Sequence, residues 1–546
     1  MADYRLPNGL GGVESVARRY KAALAKRDLW SSLYREAYRF AVPSRELFNN
    51  YADGQDKESE LFDSTAVDAV QEFASRIQAN IMPAWRQWSK LEPGPGLPKE
   101  QRDSEELKRG LEDQTEIFFS YINHSNCVQK THESFVDLAV GTACLTLDLN
   151  QLNDGLQFDC IPIAHLAIED SPAGVIETVF EDKKTALRNL KRMYGGEVSL
   201  PPGWSGKKDE EDVSWVQSQI YDPKAKRYHL CAFATAPNHV LFHQELGETG
   251  PYIVFRWSVV PGETHGRGPV LSALADIKTL NKVVEFTLAG AALTLFPPMT
   301  GVGDGVLNPY TVTIAPNTVI PVASNDQNNP SLKPLVNQPR PDLAQMILTD
   351  MRMSIRKKLL VDNRRQEGPV QSATEIVVQD REFVAQTGAN YGRIQAELVE
   401  RVIARGIDLL RSIGKMANIR VDGKMVTLKH TSPLARAQDN EELMAAQSFF
   451  QLASTLAGPE AYQLSVKTDE ISEWLARKTG FPAELIRTAD ERQEAIQKIT
   501  EAAATAQQNA QASGQPLDPQ SAAAGNMAQA FQQQNPNGGM PPVRMQ

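Results

Sequence analysis

The stretch Gly266-Arg-Gly-Pro-Val-Leu-Ser-Ala-Leu-Ala-Asp-Ile-Lys-Thr-Leu-Asn-Lys-Val-Val-Glu-Phe286, continued to Met416, decides how this chain is built. It predicts a helix from Gly268 to about Phe296, with Pro269 just inside the start, where a missing N–H costs nothing. An insert rich in proline and glycine runs from Pro297 to Arg340, with Pro297-Pro298, Gly301, Gly303 and Gly305 at its head. A second helix begins at Pro341-Asp342 and carries Ile347, Met351, Ile355 and Leu359 as one apolar stripe at i,i+4 spacing. A loop, Asp362-Asn-Arg-Arg-Gln-Glu-Gly-Pro-Val-Gln371, leads to the capping box Ser372-Ala-Thr-Glu375. That box opens a helix of roughly forty residues by its periodicity. Two helices joined through a stiff extended insert make a leg with a foot. Such a shape encloses little core of its own, so it is expected to pack against copies of itself.

The 546 residues, 41% hydrophobic and 23% charged, have a globular balance with room for several domains. The net charge is −10, unlike a protein that grips nucleic acid by neutralising phosphates, though compatible with one that surrounds DNA and lets it slide. Cys127, Cys144, Cys160 and Cys231 form no CxxC pair and are expected to stay reduced and buried, as in a protein made in the cytoplasm. The opening Met-Ala-Asp-Tyr-Arg-Leu-Pro-Asn-Gly lacks the apolar core of a signal peptide. The most apolar run, Phe286 to Phe296, is too short for a bilayer, so no membrane partner is expected.

In chain order, residues 11–42 read as one helix stopping at Pro43, and Phe62-Asp-Ser-Thr-Ala66 caps another containing Val70, Phe73, Ile77 and Ile81. Trp85 and Trp88 read as core anchors. Residues 103–138 are helical in pattern. From Gly141 the period falls to two, and Asn153-Asp154-Gly155 marks a hairpin turn. A helix is expected at about 182–195, ending at Gly195-Gly196, with strands at 163–168 and near 213–222, 227–235, 239–246 and 251–260. After the long helix, Ile419-Arg-Val-Asp-Gly-Lys-Met-Val-Thr-Leu428 reads as a hairpin, 437–500 as short amphipathic helices, and 515–546 as disordered.

Catalytic constellations are hard to find. No GxxxxGK[ST] loop exists: Gly414-Lys415 and Gly423-Lys424 lack the upstream glycine and the following hydroxyl. Gly301-Val-Gly-Asp-Gly305 does not connect a strand to a helix, and Gly203-Trp-Ser-Gly206 is not a nucleophile elbow. His239 and His243 would share a strand face but have no further ligand at zinc spacing, so they read as ordinary sheet histidines. Neither enzyme activity nor a cofactor or metal is expected. One charge cluster stands out: Arg352, Arg356, Lys357, Lys358, Arg364 and Arg365, opposed by Asp362. It reads either as a solvated or inter-subunit ion-pairing face or as a basic ring, with the cations at 356–358 also suiting a helix C-terminus.

The residues Thr374-Glu-Ile376, Arg381-Glu382, Gly388-Ala-Asn-Tyr-Gly-Arg393 and Gln395-Ala-Glu-Leu398 resemble the portal, or head-to-tail connector, proteins of short-tailed bacteriophages. Arg27-Asp-Leu-Trp30 to Pro43, Gly141-Thr-Ala, Ile163 to Ile168, His265 to Asn281 and His430-Thr-Ser-Pro433 to Gln438 are similar to the same family. At 83–91, Ser89 stands where that family tends to carry an aromatic. The resemblance implies an α+β portal fold: a wing (1–265), stem helix 1 (266–296), a clip (297–340) and stem helix 2 (341–361). A tunnel loop (362–371), a long helix with wing hairpin (372–436), a helical crown (437–500) and a low-complexity tail (501–546) complete it.

It further implies a closed ring, usually of twelve copies, at one capsid vertex of the virion, through which double-stranded DNA is packaged and ejected. Implied partners are the major capsid and scaffolding proteins, the terminase large subunit as ATPase motor, a tail adaptor, and internal core or ejection proteins. The tunnel-loop residues Arg364, Arg365, Gln366 and Glu367, with Arg356, Lys357 and Lys358, are then the candidate DNA-channel residues. A ringless helical adaptor and a nucleic-acid enzyme are the rival readings.

Overall fold

The computed structural model describes Leu6, residues 10–361 except 50, 53, 85, 103, 196–197, 205, 296–298, 302–331 and 335–340, then 388–417, 426–431 and a few positions between 443 and 475. The chain divides into two units, Met1–Arg436 and Ala437–Gln546. In the second, residues 445–450 are helical and Phe449 meets Phe450 edge to face at 5.9 Å. The tunnel-loop and tail expectations, Trp85, and most of the clip and crown lie outside the described residues.

The first unit mixes helices with two larger sheets and two two-stranded pairs among the described residues, as expected of an α+β body. Residues 11–42 form two helices rather than one, α1 (Gly12–Asp28) and α2 (Ser31–Ala41). The break at Leu29-Trp30 lets each helix bury a different face. Val16, Ala17, Tyr20 and Ala23 of α1 pack on Phe180, Val216 and Phe233, whereas Tyr34, Ala37, Tyr38 and Ala41 of α2 enter the main core. Helix α3 (Thr65–Ile81) follows a turn in which Asp63 Oδ1 accepts the Thr65 N–H at 2.9 Å. The N-cap residue, Ser64, makes no side-chain capping bond, so the start of the helix matches the sequence reading but the cap does not. Strand β1 (Ser89–Pro93) holds Ser89 buried, its hydroxyl donating to Lys429 O, while neighbouring Trp88 anchors the core edge to face on Phe119.

The expected helix over 103–138 is also two: α5 (Glu105–His124), preceded by the single turn α4 (Lys99–Arg102), and α6 (Cys127–Val140). Between them, the Asn126 side chain accepts from Phe158 N–H and donates to Phe158 O, both at 2.8 Å. That hold on a distant strand ends α5 and starts α6.

One sheet has the order β3-β2-β9, from β2 (Thr142–Leu149), β3 (Leu156–Ile161) and β9 (Tyr252–Arg256). The β2–β3 hairpin is present, closed by a loop over 150–155 with Asn153 left-handed at φ 52°. The other sheet runs β4-β5-β6-β7-β8: Leu166–Asp170, Ile176–Ala186, Asp212–Asp222, Arg227–Thr235 and Asn238–Glu245. The expected strand at 163–168 begins as a 3₁₀ turn, Ile163–His165. The expected helix at 182–195 is present only as α7 (Leu187–Met193); its first part, Asp182-Lys-Lys-Thr-Ala186, is strand paired with β6. Ladder bonds to a partner thirty residues away outweigh a weak local preference.

Helix α8 (Pro269–Leu295) matches its expected span, and α9 (Pro341–Lys358) starts at its proline. Between them, β10 (Met299–Gly301) pairs antiparallel with β11 (Leu332–Pro334). The long helix is described from residue 388; it passes through a π turn at Gln395–Val399 and continues over Glu400–Ser412. Strand β12 (Val426–His430) pairs with β1, where a local hairpin was expected; the hairpin's first arm is outside the described residues.

Candidate functional site

Helices α8 and α9 run antiparallel and share one root. Val270, Ala273, Ile277, Leu280 and Val284 of α8 enter the body's core with Ile355 and Leu359 of α9, the buried end of the predicted stripe. Polar clamps set this root. Asn281 accepts from the backbone N–H groups of Phe62 (2.7 Å) and Asp63 (3.2 Å) and donates to Glu60 O (3.0 Å). Asp63 in turn receives Arg352 at 2.7 Å. Burial pushes the Asp63 carboxyl up, but Thr65 and Arg352 outweigh it and hold it below its ordinary value.

The start of α8 crosses the end of α6 where three glycines meet. A side chain on Gly268 would strike the carbonyl of Ala139, and one on Gly266 the carbonyl of Gly141. The gap is closed instead by Gly268 N–H donating to Val140 O at 2.9 Å and Trp257 N–H to Gly141 O at 2.9 Å. Beside the crossing, His265 is buried against Trp30 and Tyr34, and neither ring nitrogen has a hydrogen-bond partner. Desolvation, with Arg27 and Arg256 nearby, lowers its pKa to about 4.

A buried ion pair ties the long helix to the crossing. Arg256, 3% exposed, gives Glu397 a 2.6 Å contact and also donates to Thr264 O and Gly174 O. Its backbone N–H donates to Glu397 at 2.9 Å. Glu397 sits in the π turn, whose extra residue changes the helix phase at that point. The sequence reading gave Arg256 no role; the available signal was an arginine inside the otherwise apolar strand Tyr252-Ile-Val-Phe-Arg-Trp257.

The structure puts three of the basic cluster's residues into pairs within the chain: Arg352 with Asp63, Arg356 with Glu72 at 2.9 Å and Lys358 with Asp276 at 2.5 Å. Lys357 is exposed, and no ion pair is described for it. Arg364, Arg365, Gln366 and Glu367 lie outside the described residues. The histidine reading needs correction. A bulge between Val240 and Phe242 puts His239 opposite Ala234 and His243 opposite Cys231, so the two do not share a face. His239 bonds Ser199 at 3.0 Å, and His243 stacks on buried His229, with nitrogens 3.2 Å apart. A cleft of about 750 Å³ between the sheets is lined in part by Asp148, Asp159 and Glu181. These carboxylates pair with Arg405, Lys130 and Lys183.

Beyond the root, the described parts of α8 and α9 are uncovered. From Glu285 to Thr294 every described side chain is exposed or half-buried, with Phe286 63% and Leu288 55% exposed. On α9, Met346 and Met353 are 66% and 55% exposed. So much greasy surface on two adjoining helices is what an interaction face looks like.

Comparison with known proteins agrees with the resemblance. A probable portal protein of Bordetella phage BPP-1 is 20% identical over 288 residues, 47% of this chain; the match spans about half, 48%, of that relative. Among solved structures, the virion of a native gene transfer agent particle matches with TM-score 0.35 and 11% identity, covering 78% of this chain and 96% of the other. A native particle neck computed with C12 symmetry gives 0.36 and 11%, over 74% and 91%. The family description "Bacteriophage head to tail connecting protein" fits residues 13–486, most of the sequence, so this chain belongs to that family.

Proposed function

We propose that this chain is the subunit of a portal ring at one capsid vertex, through which double-stranded DNA enters and leaves the head. Family membership over residues 13–486 carries the reading. The uncovered apolar face of α8 and α9 supports it, because a heterologous contact repeated around an axis buries such a face on every copy and then closes. In this reading 1–265 is the wing, 297–340 the clip, 362–371 the tunnel loop and 437–500 the crown. The clip docks the terminase motor during packaging and the tail adaptor afterwards. Capsid and scaffolding proteins surround the ring, and core or ejection proteins meet the crown.

The ion pairs of Arg352, Arg356 and Lys358 already satisfy those cations, which leaves Lys357, Arg364 and Arg365 as the DNA-facing candidates. Light scattering on the purified chain tests the ring: twelve subunits of 60.3 kDa give a particle of about 720 kDa. End-on electron micrographs then show an annulus. A monomer at every concentration overturns the proposal.

A further inference from the structure

Two helices of this chain end in the same hydrogen-bonded turn and differ in one residue. After the long helix, Lys415 N–H donates to Leu410 O at 2.9 Å and Gly414 N–H to Arg411 O at 3.0 Å, with Gly414 at φ 71°. After α9, Val361 N–H donates to Arg356 O at 2.9 Å and Leu360 N–H to Lys357 O at 3.1 Å, with Leu360 at φ 61°. The turn requires a left-handed residue at this place. Glycine is the usual occupant because it has no Cβ to crowd the following carbonyl. Leucine there is strained, and it is also a good helix former. The other non-glycine residues with positive φ among those described, Asn153 and Lys226, sit in exposed hairpin turns.

The local sequence does not dictate this stop. From Met353 onward neither glycine nor proline occurs before Gly368. Tertiary contacts impose it instead. Leu359 and Val361, on either side, are fully buried in the main core. Two residues one turn apart on α3 hold the rest: Arg76 donates to Leu360 O at 2.7 Å, and Glu72 pairs with Arg356. A bulky residue stays in a disfavoured conformation only where its surroundings over-determine it.

We propose that Leu360 is a strained helix stop, latched by α3 through Arg76 and Glu72. Its release lets Leu360 return to the right-handed conformation and redirects the chain as it leaves α9. This inference is independent of what the ring conducts.

The test is amide hydrogen exchange and thermal melting of the full chain with Leu360→Gly, Leu360→Ala and Arg76→Met. Alanine keeps the strain and loses the leucine's packing; glycine loses both. The expected result is that Leu360→Gly melts higher than Leu360→Ala and exchanges its 360 and 361 amides roughly fivefold more slowly, reversing the usual helix order of the two residues. Arg76→Met should speed exchange of those same amides while the α3 amides stay protected. If Leu360→Ala is the more stable of the pair, the turn stores no strain and the proposal fails. If Arg76→Met leaves exchange at 360 and 361 unchanged, α3 is not the latch. Should the glycine variant not fold, Leu360→Asn, which tolerates the left-handed region, takes its place against alanine with the same expected order.

Discussion

His265 stays neutral in its box of Trp30 and Tyr34 because a charge there would be desolvated and would face Arg27, Arg256 and Lys26, with Asp170 the opposing carboxylate. The unfolded chain takes up the proton near the ordinary histidine value of about 6.5, whereas the folded chain does so only near 4. Between those values the unfolded state binds more protons, so stability falls as pH drops through that window and is complete above it. Melting temperature measured from pH 7.5 to pH 4.5 should therefore decline, and less steeply for His265→Phe. His430, also lowered to about 4 by burial, keeps part of the slope in that variant. At the shared root of α8 and α9 the sign comes from an acid. Asp63 is held below its ordinary value, so its contribution is present at neutral pH and disappears only as pH falls below about 4. The Arg256–Glu397 pair gives a larger effect. Glu397→Ala strands a buried guanidinium and should cost about 3–5 kcal/mol by denaturant titration. Arg256→Met combined with Glu397→Leu should recover much of the loss.

At the scale of elements, what could be read locally was read well. Pro269 and Pro341 set helix starts, the Asp63–Thr65 turn precedes α3, and alternation from Gly141 announces β2 and β3. The failures share a cause. Asp182–Ala186 is a strand because β6 lies beside it, and β12 is placed by β1, more than three hundred residues away. The helix breaks at Leu29-Trp30 and Ser125-Asn126 follow from which core each half joins. The Arg256–Glu397 contact bridges 141 positions through a π turn that no local pattern announces. Of the candidate channel residues, the sequence identified a cationic cluster but not that Asp63, Glu72 and Asp276 would engage three of its members. The stem itself supplies an element-level expectation. Phe286→Glu with Leu288→Glu should leave the melting temperature of the body within a few degrees, since both side chains are exposed in one protomer. The same pair should shift light-scattering mass from ring toward monomer.

For the whole molecule, the distribution of charge separates assembly from transport. The chain carries −10 overall; in the proposed ring that charge would repel the phosphate backbone and let a duplex slide. Exchanging both Arg364 and Arg365 for Ala should preserve the ring in micrographs yet reduce the DNA retained in filled heads; equal retention would remove the tunnel-loop cations from the account.

The strand rims carry another consequence. Asn126 occupies the outer backbone groups of Phe158, Glu397 takes the outer N–H of Arg256, and Ser199 donates to Leu241 O on β8. If the molecule stands shoulder to shoulder with its own copies, as proposed, it risks being zipped to them by the wrong margin, strand to strand, into fibrils that never close. Such capped positions on β3, β9 and β8 disfavour that pairing, so crowding the protomers of the proposed ring should yield closed circles rather than threads.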